Sequence, residues 1–315
     1  MAIRNQEFDL VHLHSRHPRR VEALHLILGA DAHVAGQPAT TVSALLAHVE
    51  QRSLRLDLVY GAFAGEALVS ACAAIESPGR AAMVFFADDQ GTEPAHGASV
   101  AALTALQSGA WGRSIALLEV LLAPQSSHLG RTLSEAGFRP LTRLLYLDLA
   151  VQAGDAPTIG PFADIEWTTY ASSGERLFRD VLDATYVDTE DCRALAGLRS
   201  ATEILASHRA SGVHDPNLWW VASRNGEPVG ILLLTRLPPR DAMEVVYVGV
   251  TKPARGRGIG SAMVHKAIGV CAAEGVTTLT LAVDRANTPA RRMYARFGFR
   301  ESMKRDAWIA SPAWV

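Results

Sequence analysis

A glycine-rich turn in the second half of the chain carries the clearest chemical signal. Arg255-Gly256-Arg257-Gly258-Ile259-Gly260 is followed by Ser261. Glycines let the backbone approach a ligand closely, and the N–H groups that begin a helix attract anions, so we predict a phosphate site before a helix that opens at Ser261. Arg255 and Arg257 add charge for phosphate oxygens. The alternative is an ordinary glycine-rich turn, and only the flanking sequence can decide between the two.

The flanking sequence has a recognisable order. A strand ending in Val248-Gly249-Val250 precedes the turn; a helix, a strand and the pattern N-x-x-A-x-x-x-Y-x-x-x-G-F follow it, with Asn287 and Tyr294 as polar members. In this order, from about residue 165 to residue 309, the chain resembles the GNAT superfamily of acetyltransferases. The family signature R/Q-x-x-G-x-G/A is filled by Arg255, Gly258 and Gly260.

The resemblance implies an acyl-CoA-dependent N-acyltransferase that uses acetyl-CoA. We expect no metal, because neither the cysteines nor the histidines have the spacing of a ligand set. It implies that the turn holds the pyrophosphate, that the strand at Val248 and Val250 pairs with the pantetheine, and that Tyr294 protonates the departing thiolate. Acceptor contacts are implied from a variable segment such as residues 186–209. The cofactor-binding residues implied in this way are Val248, Val250, Arg255, Gly256, Arg257, Gly258, Gly260, Ser261 and Asn287.

Acyl transfer to an amine also needs a group that takes a proton from the amine. Glu244 is our candidate, because strict alternation places it on the same strand face as Val246, Val248 and Val250. Glu244 and Val248 are about 13 Å apart along a strand, so a water chain would relay the proton. The alternative for Glu244 is a solvated carboxylate at a strand start, and for Tyr294 it is aromatic packing against the sheet.

The element pattern of the second half predicts a mixed α/β fold. Alternation, helical spacing and an Asn225-Gly226 hairpin signal give the order β-α-α-β-β-β-α-β-α-β. We therefore expect an α/β (α+β) protein with a mostly antiparallel twisted sheet flanked by helices.

The chain also repeats itself. The stretch that begins at Gly65 matches the one that begins at Gly226, 161 residues later, and the same offset pairs Gly97 with Gly258. This period is too long for a solenoid, so we predict two GNAT-like domains at 1–152 and 160–315, joined by the connector at 151–164. Each copy has one strand after its last helix, which predicts that the copies complete each other's sheets.

The first copy lacks the chemical equipment of the second. Pro94 removes a backbone donor, and neither Met83 nor Leu133 can move a proton, so this copy should be noncatalytic. The pairs at the same offset are Arg255 with Pro94, Arg257 with His96, Gly260 with Ser99, Glu244 with Met83, Asn287 with Ser126 and Tyr294 with Leu133.

Composition restricts the partners. With 49% hydrophobic and 20% charged residues and a net charge of −2, the chain reads as globular, with neither a nucleic-acid nor a membrane-attracting signature. No secretory leader or run of about 18 apolar residues is recognised, so we expect a cytoplasmic protein. We expect it to be a monomer or a homodimer. His12, His14 and His17 lack the companion ligands of a convincing metal site.

The preferred function is acetyl transfer from acetyl-CoA to the primary amine of a small molecule. A protein or peptide N-terminus is the alternative acceptor and would need an open cleft. A noncatalytic CoA-binding regulator is the alternative from another class, and the presence of both Glu244 and Tyr294 argues against it.

Overall fold

The computed structural model describes residues 3–4, 8–29, 41–152, 162, 164–237 and 240–314. It divides into two compact units, residues 1–141 with 305–315 (unit 1) and residues 142–304 (unit 2). Most of the predicted connector at 151–164 lies outside the described residues. Among the described helices, none combines the length and apolar character that a membrane crossing requires.

Unit 1 contains a mostly antiparallel sheet with helices. Its strands follow the order β1-β2-β3-β4-β5-β6, and only β5 and β6 run parallel. The elements are β1 (Ile3–Arg4), β2 (Asp9–His12), α1 (Arg20–Leu28), α2 (Val42–Gln51), β3 (Arg55–Ala64), β4 (Ala67–Ser77), β5 (Ala81–Phe86), α3 (Glu93–Gly112), β6 (Leu117–Leu122), α4 (Gly130–Glu135) and the start of β7 (Arg139–Ala150).

Unit 2 repeats this plan. Its strand order is β7-β12-β11-β10-β9-β8, and only β11 and β12 run parallel. The elements are the rest of β7, β8 (Ile165–Thr169), α5 (Tyr170–Ser173), α6 (Glu175–Tyr186), α7 (Ala201–Ala210), β9 (Trp219–Arg224), β10 (Glu227–Leu237), β11 (Ala242–Val250), α8 (Ile259–Ala273), β12 (Thr278–Asp284), α9 (Thr288–Arg296) and the start of β13 (Arg300–Ala310). The predicted fold class is confirmed.

The last strand of each sequence half lies in the sheet of the other unit. Residues 144–150 of β7 pair antiparallel with residues 278–284 of β12 in unit 2. Residues 306–310 of β13 pair antiparallel with residues 118–122 of β6 in unit 1. The prediction that the two copies complete each other's sheets is confirmed.

Unit 2 has a hydrophobic core on each face of its sheet. The core under α8 and α9 includes Met243 and Val245 of β11. The core under α6 and α7 includes Phe178 and the fully buried Trp219. Both faces of β11 are thus covered, which explains its almost continuous apolar sequence.

Candidate functional site

Strands β11 and β12 separate partway along their length. Their parallel pairing runs from Ala242 opposite Thr278 to Val245 opposite Leu281 and then ends. Both strands nevertheless continue, β11 to Val250 and β12 to Asp284. Strand β10 pairs with β11 on its other side up to Val250. Residues 246–250 therefore present one backbone edge that β12 does not cover, and a ligand with amide groups could pair with that edge.

A β-bulge at Val246 changes which way the site residues face. Leu233 pairs with Tyr247 and Leu234 with Val245, so Val246 is an extra residue on β11. Val246 and Tyr247 both pack on the α6 and α7 side, whereas Val248 and Val250 pack on the α8 side.

The bulge corrects the expected placement of Glu244. Its neighbours Met243 and Val245 pack on the α8 side, so alternation turns Glu244 to the opposite face, toward α6 and α7. The expectation that Glu244 shares a face with Val248 and Val250 is wrong, because the extra residue shifts the alternation between them.

Glu244 is a half-buried carboxylate between two threonines, opposite Thr235 on β10 and Thr280 on β12. Burial raises its pKa, and the nearby charge of Arg240 only partly opposes this. Within the described part of the chain no side chain is recorded in hydrogen-bond or ion-pair contact with the carboxylate. A carboxylate whose pKa is raised is a stronger base than an ordinary one, which suits it to accept a proton.

The glycine-rich turn leads into the uncapped N-terminus of α8. The helix begins at Ile259, two residues earlier than predicted, with Gly258 as its N-cap at φ 84°. The first helical backbone bond runs from the Ala262 N–H to the Gly258 carbonyl, and no side chain caps this end. The N–H groups of Ile259, Gly260 and Ser261 are thus available to an anion.

The glycines of the turn have different roles. Gly256 and Gly258 have φ values of 75° and 84°, which other residues adopt only with strain. Gly260 lies inside the helix, and a Cβ there would approach Met293 Sδ to 3.0 Å and Val250 Cγ2 to 3.8 Å. Gly260 therefore allows α8 to pack against β11 and α9.

The two arginines of the turn also differ. The Arg255 guanidinium donates to the carbonyls of Val250 (3.2 Å), Asp188 (2.7 Å), Thr185 (3.0 Å) and Val187 (2.8 Å). Four of its five N–H donors thus join the end of β11 to the end of α6, and the expected phosphate contact is largely displaced by this structural role.

Arg257 keeps the charge that the turn needs. Its side chain is exposed, and no partner for it is recorded among the residues described. Arg257 is therefore better placed than Arg255 to bind a phosphate.

Asn287 and Tyr294 are held by α9. The Asn287 side chain caps the helix, its Oδ1 accepting from the Ala290 N–H at 3.2 Å. Tyr294 is 4% exposed and packs edge-on against Phe299, with ring centroids 5.5 Å apart. Burial raises the pKa of Tyr294, so its phenol stays protonated. The aromatic packing considered from the sequence is present, while proton donation by Tyr294 and pantetheine contact by Asn287 stay predictions.

The loop between α6 and α7 is held by residues that the sequence analysis did not identify. Asp284, at the end of β12, accepts from the backbone N–H groups of Cys192 (3.1 Å) and Ala286 (2.7 Å) and from Thr142 Oγ1 (2.5 Å). The neighbouring Asp191 has a pKa raised by burial. The loop is thereby fixed where β11 and β12 separate. The family resemblance implies acceptor contacts from this segment, but nothing in its composition marks these residues.

In unit 1 the corresponding region is filled by side chains. The first turn of α3 contains Pro94. His96 is buried and hydrogen-bonds to Thr132 (2.9 Å) and Glu135 (2.7 Å). Ser99, in place of Gly260, hydrogen-bonds to Ser70 at 2.7 Å. Side chains thus take the space that the second copy leaves beside its turn.

Potential metal ligands come together at two places among the described residues, each within 4.8 Å: Asp88, Asp89 and His128, and Asp191, Cys192 and Asp284. Several of their oxygens already accept backbone N–H groups. His12 of the histidine cluster bonds the Asp57 carbonyl at 2.8 Å instead.

Comparison with known sequences agrees with this geometry. The model of the acetyltransferase (GNAT) family matches residues 181–299. A mycothiol acetyltransferase of Beutenbergia cavernae is 35% identical over 88 residues, 27% of this chain and 29% of the relative. One from Frankia casuarinae is 32% identical over 146 residues, 39% of this chain and 42% of the relative. The aligned region spans less than half the length of these relatives.

Solved structures share the fold over nearly the whole chain. A GCN5-related N-acetyltransferase from Sphaerobacter thermophilus superposes with a TM-score of 0.58 at 19% identity, covering 92% of this chain and 91% of that one. A tandem GNAT protein from the clavulanic acid biosynthesis pathway gives 0.56 at 14% identity, covering 97% and 98%. Residues 181–299 thus match the acetyltransferase (GNAT) family, and nearly the whole chain shares the fold of a tandem GNAT protein.

Proposed function

We propose that the protein transfers an acetyl group from acetyl-CoA to the primary amine of a small molecule. One observation carries this proposal: beyond Val245 the gap between β11 and β12 opens beside the uncapped N-terminus of α8. This arrangement offers an amide edge and an anion site next to each other, as an elongated molecule with a pyrophosphate requires.

The residues present suit acetyl-CoA. The N–H groups of Ile259, Gly260 and Ser261, together with Arg257, would hold the pyrophosphate, while Gly256 and Gly258 give the turn its shape. The backbone of Val248 and Val250 would pair with the pantetheine, and Asn287 lies at the start of α9 near the end of β12. Arg255 would act indirectly by fixing the end of β11.

The reaction joins the amine nitrogen to the acetyl carbon and breaks the carbon–sulfur bond of the thioester that acetyl-CoA supplies. Glu244 would take the proton released by the amine, through water, since it faces away from Val248. Tyr294 would give its proton to the departing sulfur and recover one from solvent. Its raised pKa keeps the donor form populated, and the raised pKa of Glu244 strengthens it as a base.

The relatives support a small acceptor. They are named mycothiol acetyltransferases, which associates them with mycothiol rather than with a protein acceptor. The predicted two-copy layout also resembles mycothiol synthase. These likenesses favour a small amine over a protein N-terminus as the acceptor of this chain.

The test is turnover of acetyl-CoA with a broad panel of small amines and peptides, followed by thiol release and by mass spectrometry of the product. We expect release with small amines, strong slowing in Glu244→Gln, and none in the control Glu227→Gln, an exposed carboxylate on β10. Binding of acetyl-CoA without release for any acceptor would contradict the proposal and indicate a regulator. Release only with peptides would indicate the other acceptor class.

A further inference from the structure

Three aromatic rings stack on the face of unit 2 toward which Glu244 points. Tyr186 of α6 stacks on Tyr247 of β11, with centroids 5.9 Å apart and planes at 15°. His208, in the last turn of α7, lies against the same tyrosine at 5.6 Å and 32°. The stack is held in place because the Tyr247 hydroxyl hydrogen-bonds to Thr185 Oγ1 at 2.9 Å.

One polar atom of this stack has no partner. His208 Nε2 is shielded from solvent and makes no hydrogen bond to any residue that the structure describes. Neighbouring polar atoms are satisfied: Trp219 Nε1 donates to the Leu234 carbonyl at 3.2 Å, and the Tyr247 hydroxyl has Thr185. Since a buried polar group without a partner is costly, an enclosed nitrogen beside a candidate active site indicates a place for a ligand atom.

The charge state of His208 limits which ligand group can bind its Nε2. Burial, helped by the charge of Arg199, lowers the pKa of His208 to about 4, so the imidazole is neutral near pH 7. A neutral ring offers a hydrogen bond but no charge to compensate a buried ion. Its natural complement is therefore a hydroxyl or an amide.

Glu244 and His208 serve the same face. Glu244 lies three residues before Tyr247, at most about 10 Å along the strand, and both side chains face α6 and α7, Glu244 by alternation and Tyr247 because of the bulge. Thr235, opposite Glu244, donates to the Val213 carbonyl at 3.1 Å and so fixes the segment that follows α7. Because His208 lies against Tyr247, an acceptor that contacts both Glu244 and His208 would carry its amine at one end and a polar group at the other.

We propose that His208 is a specificity-determining residue that hydrogen-bonds an uncharged polar group of the acceptor while Glu244 serves the amine. The acceptor class is then a primary amine that also carries a hydroxyl or an amide. This inference rests on the proposed function and adds the chemical character of the acceptor to it.

The test compares four amines with equal numbers of non-hydrogen atoms: hexylamine, 5-aminopentan-1-ol, N-(2-aminoethyl)acetamide and 4-aminobutanoate. The wild type should prefer the hydroxyl and amide compounds. His208→Phe keeps the ring against Tyr247 but removes the nitrogen, and should lower kcat/KM for those two compounds by about 5- to 100-fold. Rates with hexylamine and the KM for acetyl-CoA should not change.

A matched control is His214→Phe. His214 Nδ1 is also enclosed without a partner, but its ring lies against Trp219 of β9, at 4.5 Å, rather than against β11. This variant should keep the wild-type preference. His208→Phe should also unfold at the same or a higher denaturant concentration, because it removes an unsatisfied atom from the interior.

Several results would overturn the inference. Equal losses for hexylamine and the amide compound would mean that His208 only shapes the cleft. A wild-type preference for 4-aminobutanoate that disappears in His208→Phe would mean that His208 binds a charged group of the acceptor. Failure of His208→Phe to fold would mean that the imidazole nitrogen has a structural role. If the wild type uses no amine in the broad panel, the proposed function itself fails; if it does but His208→Phe keeps the same preference, only the inference fails.

Discussion

Alanine substitutions at Gly258 and Gly260 should have different consequences, although the sequence alone predicts that both glycines allow close approach of the coenzyme. At Gly258 space is available, since the nearest atom to an added Cβ is Phe162 Cε1 at 3.7 Å, but φ is 84°. A left-handed conformation costs an L-residue about 1–2 kcal/mol. Relief of that strain would move the N–H groups that begin α8.

At Gly260 the backbone is helical, and the limit is the 3.0 Å approach to Met293 Sδ. A thioether is flexible and can yield, and alanine gains about 1 kcal/mol in helix propensity over glycine. These effects oppose each other. The free energy of unfolding should therefore change by less than about 1 kcal/mol, and the new methyl points to α9 rather than to the ligand side of the turn.

We expect Gly258→Ala to lower the free energy of unfolding by about 1–2 kcal/mol and to weaken acetyl-CoA binding at least about tenfold, the value of one charge-assisted hydrogen bond. Gly260→Ala should leave the dissociation constant within about threefold. Chemical unfolding and titration calorimetry measure the two quantities.

The control is Gly275→Ala, at the other end of α8, where φ is 72° and a Cβ meets no atom within 4 Å. It should lose stability as Gly258→Ala does but bind acetyl-CoA normally. Equal weakening of binding in Gly260→Ala and Gly258→Ala, or in the control, would refute this reasoning.

Further predictions concern the chemistry and the two halves. Because burial raises the pKa of Glu244, the rate of the wild type should fall as the pH drops through a value above the ordinary 4.5. Glu244→Gln should not show this fall and should run about 10²- to 10⁴-fold slower. Its rate should recover at high pH, where the amine is already deprotonated in solution. A wild-type pH profile in this variant would contradict the base. Tyr294→Phe should slow single turnovers by a similar factor with acetyl-CoA affinity unchanged, and normal rates would exclude Tyr294 as the acid. Calorimetry should find one acetyl-CoA per chain, whereas two equivalent sites would refute a degenerate first half. The fragment 160–315 lacks β7 and should show no cooperative unfolding; a folded fragment would refute the need for that strand.

Local features of the second half could be read from its sequence. The Asn225-Gly226 signal predicted a hairpin, and both residues adopt positive φ, 54° and 77°, between β9 and β10. The order of the longer elements and the glycine-rich turn were also predictable, because each depends on residues close together in the chain. The four-residue α5 was not expected.

Features that depend on long-range pairing could not be read in this way. The bulge at Val246 has no local signature, because Val245, Val246 and Tyr247 all suit a regular strand; the pairing with Leu233 and Leu234 determines it. Alternation therefore grouped Glu244 with Val248 and Val250, whereas it lies on the face of Val246.

The roles of two other residues also depend on distant contacts. Arg255 matches the family signature, yet its partners include the carbonyls of Asp188 and Thr185, 67 and 70 residues earlier. The burial of His208 depends on its contact with Tyr247, which its own segment of the sequence does not indicate.

The positions of β7 and β13, each in the sheet of the other half, also affect the order in which the protein can fold as it is synthesised. Domains generally fold as they leave the ribosome, the N-terminal one first. Here the edge of β6 is completed by residues 306–310, which are translated long after β6 itself. A nascent chain that has emerged through residue 141 thus has an unpaired strand edge, a feature that favours aggregation. We therefore expect unit 1 to reach its native state only after residues 306–310 have left the ribosome, and to depend on chaperones until then.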